Sequence, residues 1–221
     1  MFIRKYKSLM LILFFTLLIS LQLVDAKVNN ILPLEGKIIT IDPGHGGRDS
    51  GTMSGKLMEK DLNLEISYQL KKVLEENGAT VYMTRMVDED LSSKWDARKK
   101  RGDLYRRILF IQNKKSDLYL SIHINAGNGR GQEVLYHSIN KNNLLLAESI
   151  HNEFKKEFKT KRIIKKTNLY LYSNTRVPGV LIECGFLSNP NDRYLLQKED
   201  YQKRLALSIT RGVYEYFQKE L

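Results

Sequence analysis

Three short apolar runs in this chain each end in a residue that can bind a metal or carry a proton. Residues 37–42 lead through Pro43 and Gly44 to His45, residues 118–122 lead to His123, and residues 180–182 lead to Glu183. Their length and β-branched content predict buried strands. Open α/β sheets form their sites beyond the carboxyl ends of strands. Two histidines and a glutamate are therefore expected on one rim. Glu59, which opens an expected helix after a glycine-rich loop, is a fourth candidate. Two His and a Glu around a metal, with another Glu nearby, suggest zinc-assisted hydrolysis.

Each residue also has a plainer reading. Gly44, Gly46 and Gly47 clear side chains from around His45, so a metal and a substrate could approach closely. No Lys-Ser/Thr follows these glycines, which separates the loop from a phosphate-binding P-loop. Glu59 and Asp61 both suit a helix start for dipole reasons alone, so Glu59 becomes a ligand only if the glycine loop folds back to the rim. His123 shares a strand face with Ser121. A histidine within so apolar a run needs a partner for each ring nitrogen; a metal would serve one, and Asn125 or a carbonyl the other. Glu183 ends a run of apolar residues, where a carboxylate must be paired, metal-linked or protonated. It is either a proton carrier with a raised pKa or half of an ion pair, with Arg176 as the other half. His137 and His151 are expected on the surface.

The elements follow from periodicity. Strands are expected at residues 37–42, 80–84, 117–124, 132–136, 169–172 and 180–184. Helices are expected at 59–77, 95–113, 142–158 and 201–217. Strands alternating with helices predict a single α/β domain with a twisted, mostly parallel central sheet of about six strands flanked by helices. The one cysteine, Cys184, excludes an internal disulfide. It directly follows Glu183, so its side chain is expected on the opposite strand face, in the core.

The first 26 residues read as an export signal: a basic start with Arg4, Lys5 and Lys7, a nearly all-apolar stretch over 9–24, then Val24-Asp25-Ala26. An uncleaved anchor that tethers the chain to a membrane is the alternative. Residues 27–36 form a lead-in, and 37–221 the catalytic domain. The formal net charge of +11 suits an anionic surface such as a cell wall or membrane. Nucleic acid is disfavoured as a partner, because export removes the usual targets.

At this point the motifs converge. The chain carries Ile41-Asp-Pro-Gly-His-Gly-Gly-Arg-Asp-Ser-Gly, Glu59-Lys-Asp-Leu-Asn-Leu, Thr84-Arg85 with Asp88, and Ser121-Ile-His-Ile-Asn-Ala. It also carries Gly131-Gln-Glu-Val-Leu-Tyr and Pro178-Gly-Val-Leu-Ile-Glu-Cys-Gly-Phe-Leu-Ser-Asn. In this order they resemble the zinc-dependent N-acetylmuramoyl-L-alanine amidases of the amidase-3 class. The resemblance implies that His45, Glu59 and His123 hold Zn²⁺ and that Glu183 is the catalytic acid–base. The substrate it implies is the peptidoglycan amide between N-acetylmuramic acid and L-alanine. Asn125, Glu133, Arg176 and Arg85 are further candidates for binding substrate or supporting the ligands.

Size and architecture resemble the spore-cortex, germination-specific subgroup. That implies an exported, monomeric catalytic domain at the cell wall or the outer face of the membrane, in the forespore intermembrane space if sporulation-specific, with an activating protein as a candidate partner. Three competing readings remain: a zinc peptidase acting on the peptidoglycan stem, a cysteine amidase using Cys184, and a wall-binding module without activity.

Overall fold

A computed structural model describes residues 10, 13–16 and 32–220. The expected export signal falls almost wholly outside the described residues. Among those described, no helix is long and apolar enough to cross a membrane.

The chain enters the sheet through β1 (Ile38–Pro43). A small antiparallel hairpin follows, β2 (Met53–Ser54) with β3 (Leu57–Met58), and then α1 (Glu59–Glu76) and β4 (Thr80–Met83). Next come α2 (Lys99–Asn113), β5 (Leu118–Asn125), β6 (Glu133–Tyr136), α3 (Asn142–Phe158) and β7 (Lys165–Lys166). The chain closes with α4 (Tyr170–Asn174), β8 (Gly179–Phe186), α5 (Pro190–Leu196) and α6 (Glu199–Glu220). The six-stranded sheet has the order β4-β1-β5-β8-β6-β7. β4, β1, β5 and β8 are parallel, while β6 pairs antiparallel with β8 and parallel with β7.

Alternation along the strands divides the sheet into two unequal faces. Ile39, Ile41, Leu120, Ile122, Val180 and Ile182 pack with Leu62, Ile66 and Leu70 of α1, Ile150 of α3, and Leu205 and Ile209 of α6 in the main core. The other face carries Asp42, Tyr119, Ser121, His123, Leu181 and Glu183. Its apolar cluster is small: Tyr119 and Leu181 with Ile108 and Ile111 of α2 and Leu171 and Tyr172 of α4. The polar candidates therefore share the thinly covered face.

Several expectations need correction. Residues 169–172, read as a strand, instead lead into helix α4, and the sixth strand is the short β7. Short apolar runs do not distinguish strand from helix. Here adjacent Leu171 and Tyr172 are both buried, which a strand facing two ways would not achieve so simply. The helix expected from 95 starts at Lys99, because Ser93 and Asp96 close a turn in which Ser93 N–H donates to the Asp96 carboxylate at 2.6 Å. α5 was not expected, although its cap is legible: Asn189 accepts from Asn191 and Asp192, with Pro190 in the first turn. His151, expected at the surface, is 3% exposed. α3 is packed by both the sheet and α6, so its buried stripe is broader than one helical face.

Candidate active site and metal centre

β1, β5 and β8 lie in register, and their carboxyl ends deliver His45, His123 and Glu183 to one rim. His123 pairs directly with Glu183 across β5 and β8. Glu59 arrives from the first turn of α1. The loop between β1 and α1 folds back so that Thr52 N–H donates to Glu59 Oε2 at 2.8 Å. A register shift between His123 and Asn125 turns Ile124 N–H toward Glu59 Oε1, at 3.1 Å. Asn63, one turn along α1, donates to the same oxygen at 3.3 Å.

His45, Glu59 and His123 each place a ligand atom within 4.8 Å of the others. Glu59 Oε1 is 3.2 Å from His45 Nε2 and 3.1 Å from His123 Nδ1. Donors about 2.0–2.1 Å from a tetrahedral zinc stand roughly 3.3 Å apart, so the spacing fits that ion. Two glycines make the approach possible. A Cβ on Gly44 would stand 2.3 Å from the His123 ring, and one on Gly51 would stand 2.5 Å from Glu59 Oε2. Asp49 lies 3.0 Å from His45 Nδ1, at an angle that forms no hydrogen bond. Burial works to lower the His45 pKa, but Glu59 and Asp49 outweigh it and the net direction is up. Burial pushes Glu59 up, and the two imidazoles more than reverse it, so the carboxylate stays ionised.

His45 has φ 61°, a left-handed conformation unusual for a side-chain-bearing residue. Two buried arginines hold it there through backbone carbonyls. Arg107 donates to the carbonyls of Pro43 and His45 at 2.8 and 2.7 Å, and to Asp42 Oδ1 at 2.7 Å. Arg85 donates to the carbonyls of Pro43, Gly44 and Lys60 at 3.0, 3.0 and 2.7 Å. Asp42 also accepts from Thr84 and Ser121. Its burial raises the carboxyl pKa, but Arg107 and the two hydroxyls bring it below the ordinary value. Arg85 is among the residues expected from the sequence, whereas Arg107 and Asp42 emerge only from the fold. The buried faces of β1 and α2 carry one acid and one base, which was the available signal.

Glu183 is partly buried, and its Oε2 has no hydrogen-bond partner. Burial, with Glu59 and then Glu133 nearby, pushes its pKa up to about 8. Glu133 stands directly opposite it on β6, nearly enclosed and paired with Arg162 at 2.7 Å and Lys165 at 2.8 Å. Asn125 turns toward Glu133 at 3.4 Å and does not support the His123 ring. Arg176 lies ahead of the amino end of β8 and is exposed. Its carbonyl accepts from Asn140, and it is not on the rim. Among the described residues no cation pairs with Glu183, so the alternative pairing with Arg176 is absent. Cys184 points into the main core with no exposed surface, and burial raises its thiol pKa far above the ordinary value. An enclosed, protonated thiol on the far face cannot serve as the nucleophile. The rim opens into a cleft of about 370 Å³ lined by His45, His123 and Glu183 together with Lys100, Leu104 and residues 169–172.

Comparisons with known proteins agree with this arrangement. A family model described as N-acetylmuramoyl-L-alanine amidase matches residues 39–215. The chain is 39% identical to the germination-specific N-acetylmuramoyl-L-alanine amidase of Bacillus subtilis (strain 168), over 97% of this chain and 96% of that protein. It is 32% identical to the probable cell wall amidase LytH of Staphylococcus aureus, over 90% of this chain and 64% of that one. The solved CwlD amidase of Clostridioides difficile, in complex with the GerS lipoprotein, superposes with a TM-score of 0.78 at 32% identity. That match covers 83% of this chain and all of that one. With these sequence and structural matches spanning the rim and the sheet that carries it, the chain belongs to the family of N-acetylmuramoyl-L-alanine amidases.

Proposed function

We propose that this enzyme cleaves the amide between N-acetylmuramic acid and L-alanine in peptidoglycan with the help of zinc held by His45, Glu59 and His123, and that Glu183 carries the proton. The observation that supports the assignment most directly is the division of labour on the rim. Three donors cluster at ligand spacing, and one carboxyl stands apart with a raised pKa and a free oxygen. Bound there, zinc supplies Lewis acidity, which makes a water easier to deprotonate and the lactyl carbonyl easier to attack. Glu183 takes a proton from the attacking water at its free Oε2 and returns it to the departing alanine nitrogen. Burial, then Glu59 and Glu133, favour the protonated form of Glu183 needed for the second half of that exchange, with Lys165 opposing them. Arg85 and Arg107 hold the His45 loop, and residues 169–172 form a wall of the cleft beside it.

The similarity to the Bacillus subtilis germination-specific enzyme supports a role in spore cortex maturation, outside the cytoplasmic membrane. The N-terminal 26 residues are assigned as the export signal or a retained tether, and residues 37–221 as the catalytic domain. The complex of the Clostridioides difficile relative with a lipoprotein supports a protein partner for this chain as well. The decisive test is product analysis on purified peptidoglycan with zinc, with chelator and with Glu183→Gln. Intact stems that begin with L-alanine, released only by the zinc-loaded native protein, are expected. Products cut within the stem would refute the amidase assignment.

A further inference from the structure

The catalytic cleft borders a second concavity at Tyr170, which lines both. The second space, of about 390 Å³, is lined by Arg98, Arg101 and Tyr105, with Asp96 at its wall, its charge taken up by Arg106. Along α2, Lys100, Leu104 and Arg107 face the catalytic cleft, while Arg101 and Tyr105 face the second space. The Arg101 guanidinium lies 4.2 Å from the centre of the Tyr170 ring. Such stacking orients the planar fork and leaves its N–H edge available for a carboxylate.

The cations around this space are used unequally. Lys100 pairs with Asp49, Arg106 with Asp96, and Arg107 with Asp42 and Asp103. Among the described residues, neither Arg98 nor Arg101 has an acidic partner, and both are exposed. Their position also opposes helix stability. Arg98 to Arg101 are four consecutive cations at the start of α2, with no acid in its first turn; α3 and α4 also lack an acid there, but neither opens on a run of cations. The dipole disfavours positive charge at this end. Lys99 is held by the carbonyls of Ser93 and Lys94, Lys100 by Asp49, and Arg101 by the face of Tyr170. The Arg98 head group and the N–H edge of Arg101 are what the fold leaves without an acid, and that points to an anionic ligand.

We infer that the concavity is the subsite for the carboxylates of the peptide that departs from the scissile amide. The inference rests on the amidase reading above. A peptide attached through its alanine nitrogen ends in at least one carboxylate. Arg98 and Arg101 would take it in charge-assisted hydrogen bonds, and the Tyr105 and Tyr170 rings would cover the apolar part of the stem. A neutral glycan stacked on the same rings is the competing occupant.

The test uses the zinc-loaded full chain and two substrates: an N-acetylmuramoyl peptide with free stem carboxylates, and the same compound with those groups converted to carboxamides. The native enzyme is expected to prefer the free acid by on the order of tenfold in kcat/KM, expressed in KM. The double variant R98A/R101A is expected to lose most of that preference with a melting temperature equal to or above the native one, and R98K/R101K to keep part of it. Absence of a preference in the native enzyme overturns the subsite, as does a preference that survives in R98A/R101A. An equal loss on both substrates also overturns it, since that is the mark of a packing or glycan role. Cleavage of neither compound by the native enzyme is a separate result, which overturns the amidase reading and the subsite with it.

Discussion

Replacing Glu183 with glutamine is expected to stop turnover and, in the metal-free protein, to strengthen the fold at neutral and alkaline pH. The carboxyl has a folded pKa of about 8 against an ordinary 4.5, with burial the largest cause and Glu59 and Glu133 adding to it. Below the ordinary value both folded and unfolded chains hold the proton, and glutamine gains nothing. Between the two values the unfolded chain ionises freely while the folded one does not. Native stability relative to the amide variant then falls by about 1.4 kcal/mol per pH unit. Above the folded value both states are ionised and the gap stays constant. The full interval gives an upper limit of about 5 kcal/mol, and the partial exposure of Glu183 reduces the expectation to about 2–3 kcal/mol. Urea unfolding of both proteins in chelator at pH 5, 7 and 9 measures the difference. A gap that does not grow with pH, or a native protein that is more stable than the variant at pH 9, would refute the electrostatic account of this residue. With zinc restored, kcat of the variant is expected to fall by about 10²–10⁴-fold.

Arg107→Met is expected to leave Asp42 buried without its counter-charge and to destabilise the fold by about 3–5 kcal/mol. Equilibrium unfolding checks this, and Arg107→Lys recovers part of the loss. Gly44→Ala places a methyl group against the His123 ring. It is expected to weaken zinc binding by about 10–100-fold, read by competition with a chromophoric chelator, while far-ultraviolet circular dichroism stays native. Chelation is expected to abolish activity and added zinc to restore it. Iodoacetamide is expected neither to inhibit the folded enzyme nor to label Cys184, because the thiol has no exposed surface.

The residues that were legible in the sequence are those whose local pattern fixes their place. β1, β5 and β8 could be read from their apolar runs, and strand alternation alone put Ser121 with His123 and set Cys184 apart from Glu183. Glu59 was harder. A helix-start glutamate looks the same whether it serves the dipole or a metal, and only the folded-back loop, with Thr52 N–H on Oε2, distinguishes the two. Arg107 was not legible as a site residue because its partners lie far along the chain: Asp42 is 65 positions away, and the His45 carbonyl 62. Arg176 failed for a topological reason. It lies three residues ahead of β8, and a strand that delivers Glu183 toward its far end leaves the residues immediately before it at the opposite edge of the sheet. The short helix α4 was lost because four apolar and aromatic residues in a row have no period long enough to read.

The three proposed metal donors sit on separate segments: the loop after β1, the opening of α1 and the end of β5. None of these segments forms a site by itself, and they meet only when β1 and β5 are paired. On the proposed reading, a chain exported before it folds would travel without a preassembled centre. Zinc capture would then follow folding, on the outer side, from whatever supply exists there. A captured ion would stabilise the pairing that creates its site, by about 4 kcal/mol when free metal exceeds Kd a thousandfold. The supply of metal outside the cell would then govern how long the protein persists there as well as whether it works.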